Sequence, residues 1–128
     1  MILDTSFLID LMKGHPPAEA KARELAETLV HLKVTPITVF EIWRGMAKAS
    51  PQKKERLEKI LSGLGLLPLN GESGKKAAFI DWALREKGVP IEPEDCLIAA
   101  IVLENRETLL TRNVKHFSRI EGLRIESY

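Results

Sequence analysis

The chain has 128 residues, 45% hydrophobic and 29% charged, which describes one globular domain and excludes a disordered or fibrous chain. With 19 basic against 18 acidic residues the net charge is +1, so no general basic surplus exists to hold a polyanion; any attraction for nucleic acid must be local or carried by metal. A single cysteine, Cys96, excludes an intrachain disulfide and a cysteine-rich metal centre, and the longest apolar run, Leu97 to Leu103, is too short to span a bilayer.

In chain order, Met1-Ile-Leu-Asp4 reads as a short strand. Asp4 and Asp10 interrupt the apolar N-terminus, and no basic leader precedes it, so it does not read as a signal peptide; a cytoplasmic location, with no membrane association, is the expectation. Thr5 or Ser6 is expected to cap a helix through Phe7 to Met12, broken by Gly14, Pro16 and Pro17. Pro17 to His31 has helical periodicity, with Ala22, Leu25, Ala26, Leu29 and Val30 on one face. Val34 to Ile37 reads as the second strand, and Thr38 as the cap of a helix running to about Ala49. Ser50-Pro51 opens another helix, with Leu57, Ile60, Leu61 and Leu64 at helical spacing. Leu66 to Leu69 is the third strand, and Glu72 to Lys87 a helix ended by Gly88. Pro93-Glu94-Asp95 opens a helix to about Leu103, Thr108 to Thr111 is the fourth strand, a single turn covers Val114 to Phe117, and Leu123 to Glu126 is the fifth strand. Strands alternating with helices imply a parallel five-stranded sheet covered on both faces, an α/β architecture.

In such sheets functional groups collect beyond the carboxyl ends of the strands. Asp4 with Thr5 and Ser6 follows the first strand, Glu41 lies just past the second, Thr111, Arg112 and Asn113 follow the fourth, and Asp95 opens the helix before it. Carboxylates gathered within a few ångströms repel and raise one another's pKa, so a fold keeps such a cluster readily when a divalent cation neutralises it. All-oxygen donors suit Mg²⁺ or Mn²⁺, which can lower the pKa of a bound water and stabilise charge on a phosphodiester. Each acid also has a bland reading. Thr38-x-x-Glu41 spells a capping box, and Glu94 and Asp95 fall in a first helical turn, where acids are common. Asp4, at the end of an apolar strand expected in mid-sheet, is harder to read as ordinary.

At these residues a resemblance enters. Met1-Ile-Leu-Asp4-Thr5-Ser6-Phe-Leu-Ile-Asp10 looks like the opening of a PIN domain, and Thr38-x-x-Glu41 with Ile42-Trp43-Arg44-Gly45 is similar to its second motif. Asp95-Cys-Leu-Ile-Ala-Ala100 resembles the third, and Leu109-Leu-Thr111-Arg-Asn113-Val-Lys-His-Phe117 the fourth. The resemblance implies a three-layer α/β/α fold, a single PIN-like nuclease domain over 1–128, and metal-dependent cleavage of RNA leaving a 5′-phosphate. Small members are mostly VapC-type toxins, acting as homodimers and silenced by a cognate antitoxin. By the same match Asp4, Glu41 and Asp95 carry over as the catalytic and metal-binding acids. Thr5, Ser6, Thr111 and Asn113 would support them or the metal's waters. Arg44, Arg112, Lys115 and His116 are candidate contacts to RNA backbone, although lysine and arginine are ordinary on any surface.

The chain departs from the family where a fourth acid is usual: Asn113 is a neutral amide, and His116 stands where many relatives have an acid before the Phe. Three formal negative charges suffice for one metal and leave a second, tightly held one in doubt. Three rivals follow. A receiver domain would need paired acids after the first strand and a phospho-acceptor after the third, where Leu69-Asn70-Gly71 offers none. A non-catalytic PIN-fold binding module is the second rival, and a general RNA-turnover nuclease the third.

Overall fold

The computed structural model describes residues 1–128. Five short parallel strands, β1 (Ile2–Leu3), β2 (Lys33–Val34), β3 (Gly65–Leu66), β4 (Thr108–Leu110) and β5 (Arg124–Glu126), pair in the order β3-β2-β1-β4-β5. Seven helices join them: α1 (Thr5–Met12), α2 (Pro16–Ala26), α3 (Pro36–Gly45), α4 (Pro51–Ser62), α5 (Gly71–Glu86), α6 (Pro93–Glu104) and α7 (Val114–Phe117). The result is the expected three-layer α/β/α arrangement, with β1 central. No helix is long and apolar enough to cross a membrane.

Alternation of side chains along the strands divides the core in two. Ile2 and Leu109, register partners, point into a cluster with Ala77 and Leu84 of α5 and with Cys96, Ile98 and Ile101 of α6. Leu3, Leu110 and Val34 point the other way, onto Phe7, Leu8, Leu25, Ile42 and Leu57 of α1 to α4. The helix α6 is buried around most of its circumference, from Cys96 through Val102, as an apolar sequence without an amphipathic stripe requires.

Several boundaries differ from the sequence expectations. Asp4, not Thr5 or Ser6, occupies the cap position of α1, in extended conformation (φ −74°, ψ 156°), and both hydroxyl residues lie inside the helix or at its first turn. The second helix stops at Ala26 instead of His31; Leu29 is 99% exposed and Val30 is exposed, because nothing beyond Leu25 finds a core to pack on. The second strand ends at Val34, since Pro36 already suits a helix's first turn. Thr35, not Thr38, caps α3, its hydroxyl accepting from the Thr38 amide at 3.2 Å. That displaces the expected Thr38-x-x-Glu41 box: Glu41 lies in the second turn of α3, clear of the end, where it neither serves as a cap nor gains much from the helix's N-terminal charge. The helix also ends at Gly45 instead of Ala49. At the other end of the chain α5 closes as expected: Gly88 has φ +70°, and Val89 N–H bonds back to the Leu84 carbonyl, a Schellman closure that a β-carbon would strain.

Candidate active site

The central strands β1 and β4 deliver Asp4 and Thr111 side by side. Asp4 N–H continues the ladder to the Leu110 carbonyl at 3.0 Å, and Thr111 N–H bonds to the Glu126 carbonyl at 3.0 Å. Both residues are buried, Asp4 at 4% exposure. Asp4 spends no oxygen on capping α1. Its Oδ2 instead accepts from Ser6 Oγ at 2.6 Å and from Thr111 Oγ1 at 2.7 Å, so the charge is fixed by two hydroxyls while Oδ1 accepts no hydrogen bond within the protein. Each hydroxyl is itself held by a backbone amide: Arg112 N–H donates to Ser6 Oγ at 3.2 Å and Asn113 N–H to Thr111 Oγ1 at 2.9 Å. Such charge-assisted bonds to an already oriented hydroxyl leave the carboxylate one geometry.

Glu41 reaches the same place from α3. Thr5 Oγ1 donates to its Oε1 at 2.8 Å. Burial pushes the Glu41 carboxyl above its usual range, the Asp4 and Glu94 charges push the same way, and the Thr5 bond opposes them. Asp95 arrives in the first turn of α6, where the helix N-terminus favours an anion. Its carboxyl is nonetheless pushed up to about 6, by burial first and then by the charges of Asp4 and Glu41. His116 Nδ1 lies 3.6 Å from Asp95 Oδ2, too far for a good hydrogen bond, and instead meets Asn113 Nδ2 at 2.8 Å. Asn113 therefore makes its side-chain hydrogen bond to the imidazole and none to Asp95.

Asp4, Thr5, Ser6, Ile9, Glu41, Asp95, Arg112 and Asn113 line one cavity of about 340 Å³. The three acids distant in sequence thus converge, which was the spatial expectation on which the others depended. They do so across open space: no three carboxylate, imidazole or thiol groups are close enough to enclose an ion unaided. The donor set still fits a hard divalent cation. It is all oxygen, Asp4 Oδ1 is uncommitted, and the Asp95 and Glu41 carboxyls are raised by burial first and by neighbouring carboxylates second, both of which a bound cation would offset. Mg²⁺ and Mn²⁺ usually keep several waters in their shells, so they do not require three carboxylates in direct contact.

Of the four candidate RNA contacts only Arg112 lines this cavity. Arg44 is stacked over the Phe40 ring at 5.0 Å on the exposed side of α3, and Lys115 is exposed on α7 without a partner. His116 bonds to Asn113 and lies 3.6 Å from Asp95. Trp43 packs against the core, whereas Trp82 is 63% exposed. Asp10, which the sequence reading gave no task, is buried and takes both hydrogen bonds of one Arg112 nitrogen. Its sequence signals were an acid at an otherwise apolar position of α1 and a place at the end of the opening motif. A separate groove of about 400 Å³ beside α5, floored by Phe79, Ile80 and Leu103, holds none of the acids Asp4, Glu41 or Asp95.

Comparison with known proteins places the fold in a family. Residues 1–123 match the PIN domain family. The chain is 26% identical to Ribonuclease VapC2 of Rickettsia felis, over 99% of this chain and 96% of that protein. It is 27% identical to the tRNA(fMet)-specific endonuclease VapC of Salmonella typhimurium, over 99% and 96% of the two chains. Its fold is similar to a chain in the crystal structure of VapBC2 from Rickettsia felis bound to a promoter DNA fragment, with a TM-score of 0.88 and 26% identity over 99% and 97% of the chains. A chain of the DNA-bound VapBC of Salmonella typhimurium gives a TM-score of 0.86 at 27% identity, over 98% and 96%.

Proposed function

From the premise that the chain belongs to the PIN-domain family, we propose that it is a metal-dependent endoribonuclease, the toxin of a VapBC-type toxin–antitoxin pair. The observation that carries this reading is the convergence of Asp4, Glu41 and Asp95 on one cavity, beside Arg112. The whole-chain likeness to proteins described as a ribonuclease and a tRNA(fMet)-specific endonuclease supports RNA as the substrate. The likeness to chains of VapBC complexes supports an antitoxin as the natural partner.

Asp4, Glu41 and Asp95 would hold Mg²⁺ or Mn²⁺, which when bound lowers the pKa of a water and stabilises charge on the phosphodiester. Asp4 presents Oδ1 in a fixed orientation, because Ser6 and Thr111 restrain Oδ2. Thr5 does the same for Glu41 through Oε1. Asp95, pushed up to about 6 by burial and by Asp4 and Glu41, would be kept deprotonated by a bound cation. Arg112 brings the positive charge that an RNA phosphate needs to enter an acidic cleft. A homodimer belongs to the same reading; the large apolar side chains left exposed on α5, Phe79 and Trp82, suit a protein interface.

The test is incubation of purified protein with RNA in Mg²⁺ or Mn²⁺, with and without EDTA. Cleavage that requires the metal and falls at least ~100-fold in Asp4→Asn is the expected result. Equal cleavage in EDTA, or binding of RNA without turnover in either metal, refutes it; the second outcome would favour a non-catalytic binding module. Copurification with the product of an adjacent short reading frame, with loss of cleavage in the complex, tests the toxin role against general RNA turnover.

A further inference from the structure

Two carboxylates are buried in this protein, Asp4 and Asp10. Asp4 belongs to the cleft; Asp10 lines no part of it. A buried carboxylate is costly unless fully paired, and Asp10 is paired with care. Arg112 Nη1 donates to Oδ1 at 2.7 Å and to Oδ2 at 2.8 Å, and the Tyr128 hydroxyl donates to Oδ2 at 2.8 Å. The Tyr128 ring meets Phe7 edge-on, with centroids 5.0 Å apart and planes at 76°. Burial and the Asp10 bond both push the Tyr128 hydroxyl above its ordinary range, so it remains a donor.

We propose that Asp10 and Tyr128 are positioning residues that aim the unused edge of Arg112 at an RNA phosphate in the cleft. One nitrogen of the guanidinium satisfies both Asp10 oxygens, and its Nε and Nη2 make no hydrogen bond within the protein. That free edge is the one geometrically matched to two oxygens of a phosphate. The Arg112 side chain is 60% exposed and lines the cavity together with Asp4, Glu41 and Asp95. An untethered arginine beside three carboxylates would fold onto them, spending its charge where a cation is needed. Asp10 offers a competing carboxylate, 5% exposed and outside the cavity, that holds Arg112 back while leaving its outer edge available. The Arg112 backbone N–H, bonded to Ser6 Oγ, ties the same residue to the hydroxyl that orients Asp4.

The competing account is a staple: the Asp10 cluster merely ties the chain's last residues and the segment after β4 to α1. A staple acts on stability whatever stands at position 112, whereas a positioning role acts on RNA affinity only when Arg112 is present. The experiment is a double-mutant cycle on the full chain. It measures the Kd for a fluorescein-labelled RNA oligonucleotide in EDTA by anisotropy, then KM and kcat in Mg²⁺, with a thermal melt of each variant. Arg112→Ala should raise Kd and KM about tenfold. Asp10→Asn should raise them about fivefold and Tyr128→Phe, which keeps the ring on Phe7, about twofold; in the Arg112→Ala background each should change Kd by less than about 1.5-fold. Equal effects of Asp10→Asn in both backgrounds, or a lowered melting temperature with unchanged Kd and KM, overturn the proposal. Should Asp10→Asn not fold, the cycle with Tyr128→Phe decides alone. The inference rests on the nuclease reading, but the two fail differently: a wild type that never cleaves refutes that reading, while the affinity cycle in EDTA still decides the role of Asp10.

Discussion

Asp95→Asn should stabilise the metal-free protein while abolishing the metal's benefit. The Asp95 carboxyl is pushed up to about 6 from 3.8, by burial and by Asp4 and Glu41. At ~1.36 kcal/mol per pH unit that difference corresponds to about 3 kcal/mol of destabilisation once the group is ionised. Its side chain retains 14% exposure, and screening reduces the figure to about 2 kcal/mol. The sign follows from linkage: a carboxyl raised in the folded state binds protons more tightly than in the unfolded chain, so wild-type stability falls as pH rises from about 4 to about 6 and stays low above that. At pH 7.5 in EDTA the variant should melt about 8 °C above wild type, taking ~2 cal/mol/K per residue of unfolding entropy. The gap should shrink steadily below pH 6 and vanish below about pH 4. Millimolar Mg²⁺ should raise the wild-type midpoint and leave the variant's nearly unmoved. Thermal melts by circular dichroism across this range decide the matter. A variant that melts at or below wild type at pH 7.5, or a gap independent of pH, would refute the claim that unneutralised charge is stored in this cleft.

Other outcomes test the scaffold. Thr35→Ala removes a fully buried hydroxyl that caps α3 and should cost about 1–2 kcal/mol, read as a shift in the urea midpoint; no shift would show the cap to be idle. Leu109→Ala, in the central pair beside Ile2, should cost about 3 kcal/mol, while Leu66→Ala on the edge strand, 61% exposed, should cost under about 0.5 kcal/mol. Comparable losses at the two sites in denaturant titrations would contradict the placement of the core.

Much of the molecule was legible in its amino-acid order. The alternation of strand and helix, the break at Gly88, the Ser50-Pro51 start and the order of the acidic motifs are local properties, set by propensity, proline geometry and apolar spacing. They sufficed to place β1 in mid-sheet and Asp4 at its end. Local pattern misled where two local signals competed. Thr35 and Thr38 both offer a capping hydroxyl, and Pro36 decided for the first, which moved Glu41 out of the helix end. Leu29 and Val30 keep helical periodicity, yet no core lies opposite them, and the helix ends before it reaches them.

The sequence by itself therefore determined the architecture, which follows from short-range chemistry along the chain, and named the three acids through the family resemblance of their motifs. Only the tertiary structure decided that Asp4 is oriented by Ser6 and Thr111, that Asn113 bonds to His116, and that Asp10, itself bonded by Tyr128, holds Arg112. Those contacts join residues as far apart as 10 and 128. Their strength depends on burial and on directions of approach, which arise only when the sheet brings the strand ends together.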